Sequence, residues 1–240
     1  MLRYSALLSK FDLYLCVFQL SIFKSGVIGD SFRHQATIPC TEKEKGVRMM
    51  EVQVIVPVYN AADTIREAVE SALFQVWIGC EAPDILIYVC CYNDASTDDS
   101  WRMLQELQKE HQKRKEKKSA EESGSEFVVL ESRLLLATAP VGTKSRGAGY
   151  ARNRAVELRK TNNAILCWLD SDDAMDKTRI FHQLSMLLNE SSDDFNKNLL
   201  LGCQFERIPE TATWHYTQWA NGLSDERLYL ERFREVTLIQ

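Results

Sequence analysis

Asp170, Asp172 and Asp173 fall within four residues at the end of the apolar run AILCWL, residues 164–169. Carboxylates this close repel one another, so the arrangement costs stability unless a cation sits among them or their charge serves another purpose. A divalent ion is one solution. An all-oxygen ligand set suits Mg²⁺ or Mn²⁺, which keep several waters and bind substrate phosphates as well. The other solution is structural, with Asp172, Asp173 and Asp176 at the N-terminus of a following helix, where they complement its dipole. Two more apolar runs end in polar residues. VQVIVPV, residues 52–58, gives way to Tyr59 and Asn60, and ILIYVCC, residues 85–91, leads to Asn93, Asp94 and Ser96.

The elements that must position these residues are legible as patterns. The run 52–58 reads as a buried strand. Ile65, Ala68, Val69, Ala72, Leu73 and Val76 then recur at helical spacing after Asp63, the expected N-cap. The run 85–91, bounded by Pro83 and Asn93, suits a central strand covered on both faces. Ser96 with Asp99 resembles a capping box, predicting a helix that turns Trp101, Leu104 and Leu107 inward. That helix runs into QKRKEKKSAEESGSE, residues 112–126, which reads as a frayed end and an exposed loop. Short strands are expected at 127–130 and 134–137, a glycine-containing loop at 140–149, a helix at 150–160 and a buried strand at 164–169. Ile180, Leu184, Leu187 and Leu188 mark another helix, and residues 199–203 a last strand. Such alternation predicts an α/β domain with a mainly parallel central sheet. Ligands of such sheets collect beyond the C-terminal ends of the strands, which is where the three polar clusters lie.

Composition narrows the classes. Of 240 residues, 45% are hydrophobic and 26% charged, with 10 Gly and 5 Pro, which excludes collagen-like, low-complexity and wholly disordered chains. Lysine plus arginine number 29 against 34 acidic residues, so the net charge of -5 gives no global attraction to nucleic acid. Only the basic cluster at 113–118 offers a local patch, and such a run is more often a solvated helix end. The seven cysteines form no C-x-x-C pair and no zinc spacing, which fits buried free thiols in a reducing compartment. Residues 11–23 are apolar but interrupted by Asp12 and Gln19 and too short for a bilayer span, so no membrane partner is expected and a cytoplasmic location is favoured. A secretory location follows instead if that segment acts as a signal or anchor. Met49 and Met50 stand just before the first convincing strand. Residues 1–49 are therefore expected to be an extension outside the domain that occupies 50–240.

PVYN at 57–60, Asp94 after the second strand, GAGYARN at 147–153 and WLDSDD at 168–173 occur in an order and spacing that resembles the family 2 inverting glycosyltransferases of the GT-A fold. The resemblance covers 52 to about 203. It implies a Rossmann-like nucleotide-sugar-binding domain in which Pro57, Tyr59 and Asn60 line a uracil pocket and Asp94 accepts from the uracil N3–H. Where the family has an Asp pair, this chain has Asn93 and Asp94. It further implies that Arg152 approaches the uridine, that Asp170 hydrogen-bonds the ribose or donor sugar, and that Asp172 ligates a Mn²⁺ or Mg²⁺ cofactor bridging the phosphates. Asp173 is left between a site role and a capping role.

The stretch 202–228, with Gly202, Cys203, Arg207, Pro209, Tyr216, Thr217 and Trp219, resembles more narrowly a branch that moves galactose from UDP-galactose to queuosine in a tRNA anticodon. The implied partners are a UDP-sugar donor and a tRNA acceptor. A glycan-directed N-acetylglucosaminyl- or galactosyltransferase is the alternative within the enzyme class. An inverting transfer needs a general base. In the family it lies in a later Glu-Asp motif that has no counterpart up to Gln240, where Asp225 and Glu226 read as a helix cap. The catalytic base is accordingly expected beyond Gln240, with the acceptor half incomplete. A truncated product that binds nucleotide or RNA without turnover is the third reading.

Overall fold

The computed structural model describes residues 13–16, 22–23, 49–79, 82–118, 127–159, 164–189, 200–209, 212–224 and 227. Its elements run β1 (Leu13–Cys16), β2 (Ile22–Phe23), β3 (Met50–Val58), α1 (Ile65–Leu73), β4 (Val76–Ile78), β5 (Ile85–Asn93), α2 (Ser100–Lys118), β6 (Phe127–Val129) and β7 (Glu131–Thr138). They continue with α3 (Ala148–Val156), β8 (Ile165–Trp168), β9 (Asp173–Met175), α4 (Arg179–Asn189), β10 (Leu200–Leu201), β11 (Glu206–Ile208) and α5 (Trp214–Asn221). The chain divides into two compact units, Thr41–Thr178 and a second made of Met1–Cys40 with Arg179–Gln240.

The first unit is built on a four-stranded sheet in the order β7-β5-β3-β8, with every pairing parallel. This is the expected α/β architecture with a parallel central sheet. All nine residues of β5 are buried, as a strand covered on both faces requires. On one face Leu86, Tyr88, Cys90 and Tyr92 join Ile55 of β3 in a cluster capped by Ala151 and Ala155 of α3. The alternate residues Ile85, Ile87, Val89 and Cys91 are also buried. They serve the opposite face, where α1 and α2 pack on each other and on β5 and β7. One polar side chain sits inside β3: Gln53, 1% exposed, donates from Nε2 to the Arg159 carbonyl at 2.7 Å, tying down the turn after α3.

Several local expectations are corrected. The N-cap of α1 is Thr64 rather than Asp63, and the helix ends before Val76, which opens β4. Gln75 makes the break: its Nε2 donates to the carbonyls of Ser71 and Asp176, and the Val76 N–H goes to the Lys177 carbonyl. β4 pairs antiparallel with β6 as a separate ribbon. α2 opens at Ser100, four residues after the expected Ser96, and stays helical to Lys118 instead of fraying at 112. Arg114, inside the basic run, lies over the Phe74 ring at 5.3 Å. α3 spans Ala148–Val156 and stops short of 160.

In the second unit β1 pairs antiparallel with β11, and β10 with β2. The strand expected at 199–203 is thus the two-residue β10, outside the parallel sheet, because its partner is antiparallel and distant in sequence. Asn221, at the end of α5, holds the approach to β11 by donating to the Phe205 carbonyl at 2.7 Å and accepting from its N–H at 3.2 Å. The remainder of the expected extension 1–49 lies outside the described residues, as do Asp225 and Glu226. Among the described residues no helix is long and apolar enough to cross a membrane.

Cys90, Cys91 and Cys167 are buried and Cys203 is half-buried. Burial pushes the Cys90 thiol up to about 12 and raises Cys91 well above its ordinary value. Alkylation of the native protein at mildly alkaline pH, mapped by peptide mass, is expected to leave Cys90 and Cys91 unmodified until denaturant is added. Rapid labelling of either without denaturant would contradict this packing of β5.

Candidate functional site at the carboxyl edge of the sheet

Parallel pairing brings the ends of β3, β5 and β8 to one edge. Backbone bonds fix their alignment: the Asp94 N–H donates to the Val58 carbonyl at 2.8 Å and the Leu169 N–H to the Ile55 carbonyl at 3.1 Å. Spatially the chain steps from β3 outward to β5 and β7 and then returns to β8 on the other side of β3. The loops leaving β3 and β8 meet at this edge, where Thr64 Oγ1 donates to the Ser171 carbonyl at 2.8 Å.

At the end of β3, Pro57 is buried while Tyr59 is 51% exposed, so the phenol ring has a face available for stacking. Asn60 turns the chain with φ of 50°, a conformation its short amide tolerates. Its Oδ1 accepts from the Thr97 N–H at 2.8 Å, and its own N–H donates to Ser96 Oγ at 3.0 Å. The next two amides continue the pattern, Ala61 N–H to Ser100 Oγ at 2.8 Å and Ala62 N–H to Asp98 Oδ2 at 3.0 Å. These bonds stitch the β3 loop to the β5 loop. Ser96 and Asp99 do not form the expected capping box. Asp98 meets the N-terminus of α2, with Oδ1 accepting from the Ser100 N–H at 3.0 Å. Desolvation pushes the Asp98 carboxyl up, but the bonds from Ser100 and Ala62 outweigh it and hold the group below its ordinary pKa.

At the end of β5, Asn93 Nδ2 donates to Thr138 Oγ1 at 2.9 Å, tying β5 to β7. Asp94 is 1% exposed. Its Oδ2 accepts from Ser145 Oγ and the Arg146 N–H at 2.7 Å and from the Gly147 N–H at 2.8 Å, just before α3. Its Oδ1 is buried without a hydrogen-bond partner. Beside it the Arg146 guanidinium lies 3.9 Å over the Tyr150 ring, which meets Tyr92 edge-on at 5.9 Å. Sequence reasoning missed this loop contact, because Ser145 and Gly147 lie 51 and 53 residues from Asp94.

At the end of β8, Arg152 of α3 donates from Nη2 to Asp170 Oδ1 at 2.6 Å, each side chain about 30% exposed. Arg152 and Asp170, expected separately at the site, thus meet there as an ion pair. Asp172 faces solvent. Desolvation of its carboxyl raises its pKa, with the Asp170 charge adding to the shift against a bond from its own backbone. Asp173 begins β9, and α4 carries no acidic residue in its first turn. The helix-dipole explanation of this acidic run therefore fails. Asp176 accepts from the Thr178 N–H at 2.8 Å, so its carboxylate serves a turn. Among the described residues no group of three His, Cys, Asp or Glu is arranged to hold a metal by itself. Mg²⁺ and Mn²⁺ sites completed by substrate phosphates and water use only one or two carboxylates. Asp172, an exposed residue whose carboxyl is raised chiefly by desolvation, is a single carboxylate of that kind.

In the second unit, Tyr216 and Trp219 of α5 pack with tilted rings at 5.7 Å between centroids, and Arg207 of β11 lies over Tyr216 at 5.5 Å. Arg207, Tyr216 and Trp219, singled out in the sequence, therefore lie together in a local cluster.

Residues 53–125 match the family model described as Glycosyl transferase family 2. The match starts within β3 and runs past α2, so it includes the first two strand ends. Over 139 residues the chain is 29% identical to UDP-Glc:alpha-D-GlcNAc-diphosphoundecaprenol beta-1,3-glucosyltransferase WfaP of Escherichia coli, covering 58% of this chain and 42% of that protein. It is 28% identical over 158 residues to chondroitin synthase of Escherichia coli, covering 66% of this chain and 17% of that one. The chain spans less than half the length of these curated relatives. Among solved structures, S. aureus TarS 1-349 in complex with UDP is similar with a TM-score of 0.38 and 21% identity, over 58% of this chain and 32% of that chain.

The stitching of the loops yields a stability test. Asp98→Ala is expected to cost about 1 kcal/mol at neutral pH, the usual worth of a helix-terminal carboxylate. Because the folded pKa is depressed, this stabilisation is full above the unfolded carboxylate value, about 3.9, and is lost as pH falls through the lower folded value. Urea denaturation at several pH values should show the gap between parent and variant closing in acid. A gap that persists unchanged there would contradict the assignment.

Proposed function

We propose that the chain is a nucleotide-sugar-dependent glycosyltransferase of the inverting kind, with its donor at the carboxyl edge of the parallel sheet. The observation that carries this reading is the family match over 53–125, which coincides with the stitched loops of β3 and β5. In this reading Tyr59 offers its exposed ring to a uracil base, Pro57 and Asn60 hold the backbone that borders it, and the unpartnered Asp94 Oδ1 is the acceptor for the base N3–H. Arg152 and Asp170 border the ribose, and Asp172 holds Mn²⁺ or Mg²⁺. When bound there, the ion supplies charge stabilisation for the departing diphosphate. Fixed backbone bonds keep these groups in place before substrate arrives, so little reorganisation is needed at the moment of reaction.

For donor and acceptor we propose UDP-galactose and queuosine in tRNA, on the likeness of residues 202–228 to that branch. A glycan acceptor is the second reading. The relatives favour it, since one is named a glucosyltransferase acting on a diphosphoundecaprenol-linked sugar and another a chondroitin synthase.

Titration calorimetry tests the donor site. UDP is expected to bind with Mn²⁺ or Mg²⁺ present and at least about tenfold more weakly without either, or with Asp172→Ala, a difference of about 1.4 kcal/mol. The raised Asp172 pKa adds a pH signature: the proton competes with the metal, so metal-dependent affinity falls as pH drops through that value. Equal affinity for parent and Asp172→Ala would defeat the site. Mass spectrometry of queuosine-containing tRNA and of lipid-linked glycans, each incubated with UDP-galactose and the protein, separates the two acceptors.

A further inference from the structure

Asp94 has one oxygen free of hydrogen bonds and one that accepts three. Its side-chain bonds thus pass through Oδ2 to residues 145–147, the turn from which α3 starts. The negative charge lies where the helix N-terminus favours it.

What that turn controls follows from how α3 sits on the sheet. Its buried residues are Ala151 and Ala155, packed over Ile55, Tyr88 and their neighbours. Alanine methyls set how closely the helix approaches the sheet and which face it turns down. Tyr150 and Val156 pack at the edge of the same cluster, Tyr150 edge-on to Tyr92 at 5.9 Å. The turn after the helix is tied to Gln53 through the Arg159 carbonyl, and the amino end of the helix is attached at Gly147. The Gly147 N–H is held by Asp94, its carbonyl accepts from the Ala151 N–H at 3.0 Å, and its φ of 90° is open to glycine at no steric cost. Arg152 lies five residues on, about 7.5 Å along the axis, and its bond to Asp170 is 2.6 Å long. A slip of one helical rise, about 1.5 Å, displaces the Arg152 backbone by the same amount and so alters that bond.

We infer that Asp94 is a positioning residue: by holding residues 145–147 through Oδ2 it sets α3 along its axis so that Arg152 reaches Asp170. The end of β5 is in this way coupled to the end of β8, across the intervening β3, through a turn and a helix rather than by direct contact. The consequence for nucleotide binding rests on the donor site proposed above. The coupling itself does not.

Nitrogen-15 NMR of the Arg152 side chain reads the ion pair in the nucleotide-free protein. An Asp170→Asn control marks the signal of the broken pair. Asp94→Asn removes the carboxylate charge. Ser145→Ala removes one bond of the tether, and Gly147→Ala places an L residue at φ +90° with nothing within 4 Å of the new Cβ, so its effect is on the backbone alone. The Arg152 Nε signal is expected to shift toward the control in all three variants, and Ser145→Ala and Gly147→Ala keep the test valid if Asp94→Asn does not fold. Calorimetry adds a readout that a general loss of stability would not produce. With Mn²⁺, Gly147→Ala and Arg152→Ala should each weaken UDP about tenfold, and the double variant should be no weaker than either alone. An unshifted Arg152 signal in Ser145→Ala and Gly147→Ala, or additive losses of about a hundredfold in the double variant, would overturn the inference. If the parent binds no UDP, the donor-site reading fails, and the NMR comparison still decides whether Asp94 positions Arg152.

Discussion

Parallel hydrogen bonding of β3 to β5 on one side and to β8 on the other is the constraint on which the site depends. Parallel strands must enter and leave at the same ends, so every polar residue that terminates an apolar run is delivered to a single edge. The sheet also needs cover on both faces, which the returning helices provide. Tyr59, Asp94 and Asp170 are far apart in the chain and are neighbours in kind for this one topological reason.

The edge is acidic, and the fold settles that charge in three different ways. Asp98 and Asp94 give their charge to backbone amides and hydroxyls, and both bind loops together as a result. Asp170 meets a guanidinium. At Asp172 desolvation and the Asp170 charge outweigh a bond from its own backbone and push the carboxyl up. A carboxylate in that condition gains most from a cation that arrives with a ligand. The first two groups supply rigidity, while Asp172 is left free to bind.

Much of this was legible in the sequence for a physical reason. β3 and β5 are buried strands, so they appear as near-continuous apolar runs, whereas β8, expected to be buried, lies at the sheet edge with Cys167 buried and Leu166 exposed; the residues that end the three runs mark the site. The helical spacing of Ile180 and Leu184 likewise marked α4, where both are buried. Three-residue strands such as β4 and β9 carry too little pattern to be seen, and Val76 continued the period of α1 although Gln75 breaks the helix. The capping expectations for Asp63 and for Ser96 with Asp99 failed because the hydrogen bonds at those turns are made across loops. Ser96 is claimed by Asn60, and Ser100 and Asp98 by Ala61 and Ala62. Tertiary approach decides such bonds, and local spacing does not record it. The tether from Asp94 to residues 145–147 was invisible for the same reason.

Amide chemical-shift mapping with UDP and Mg²⁺ reads most directly whether nucleotide binds at the carboxyl edge. Shifts are expected to concentrate at Tyr59, Asn60, Ala95, Arg152 and Asp172, with the amino ends of the same strands, such as Glu51 and Leu86, unmoved. Shifts confined to those amino ends, or none at the loops of β3, β5 and β8 at saturating nucleotide, would contradict it.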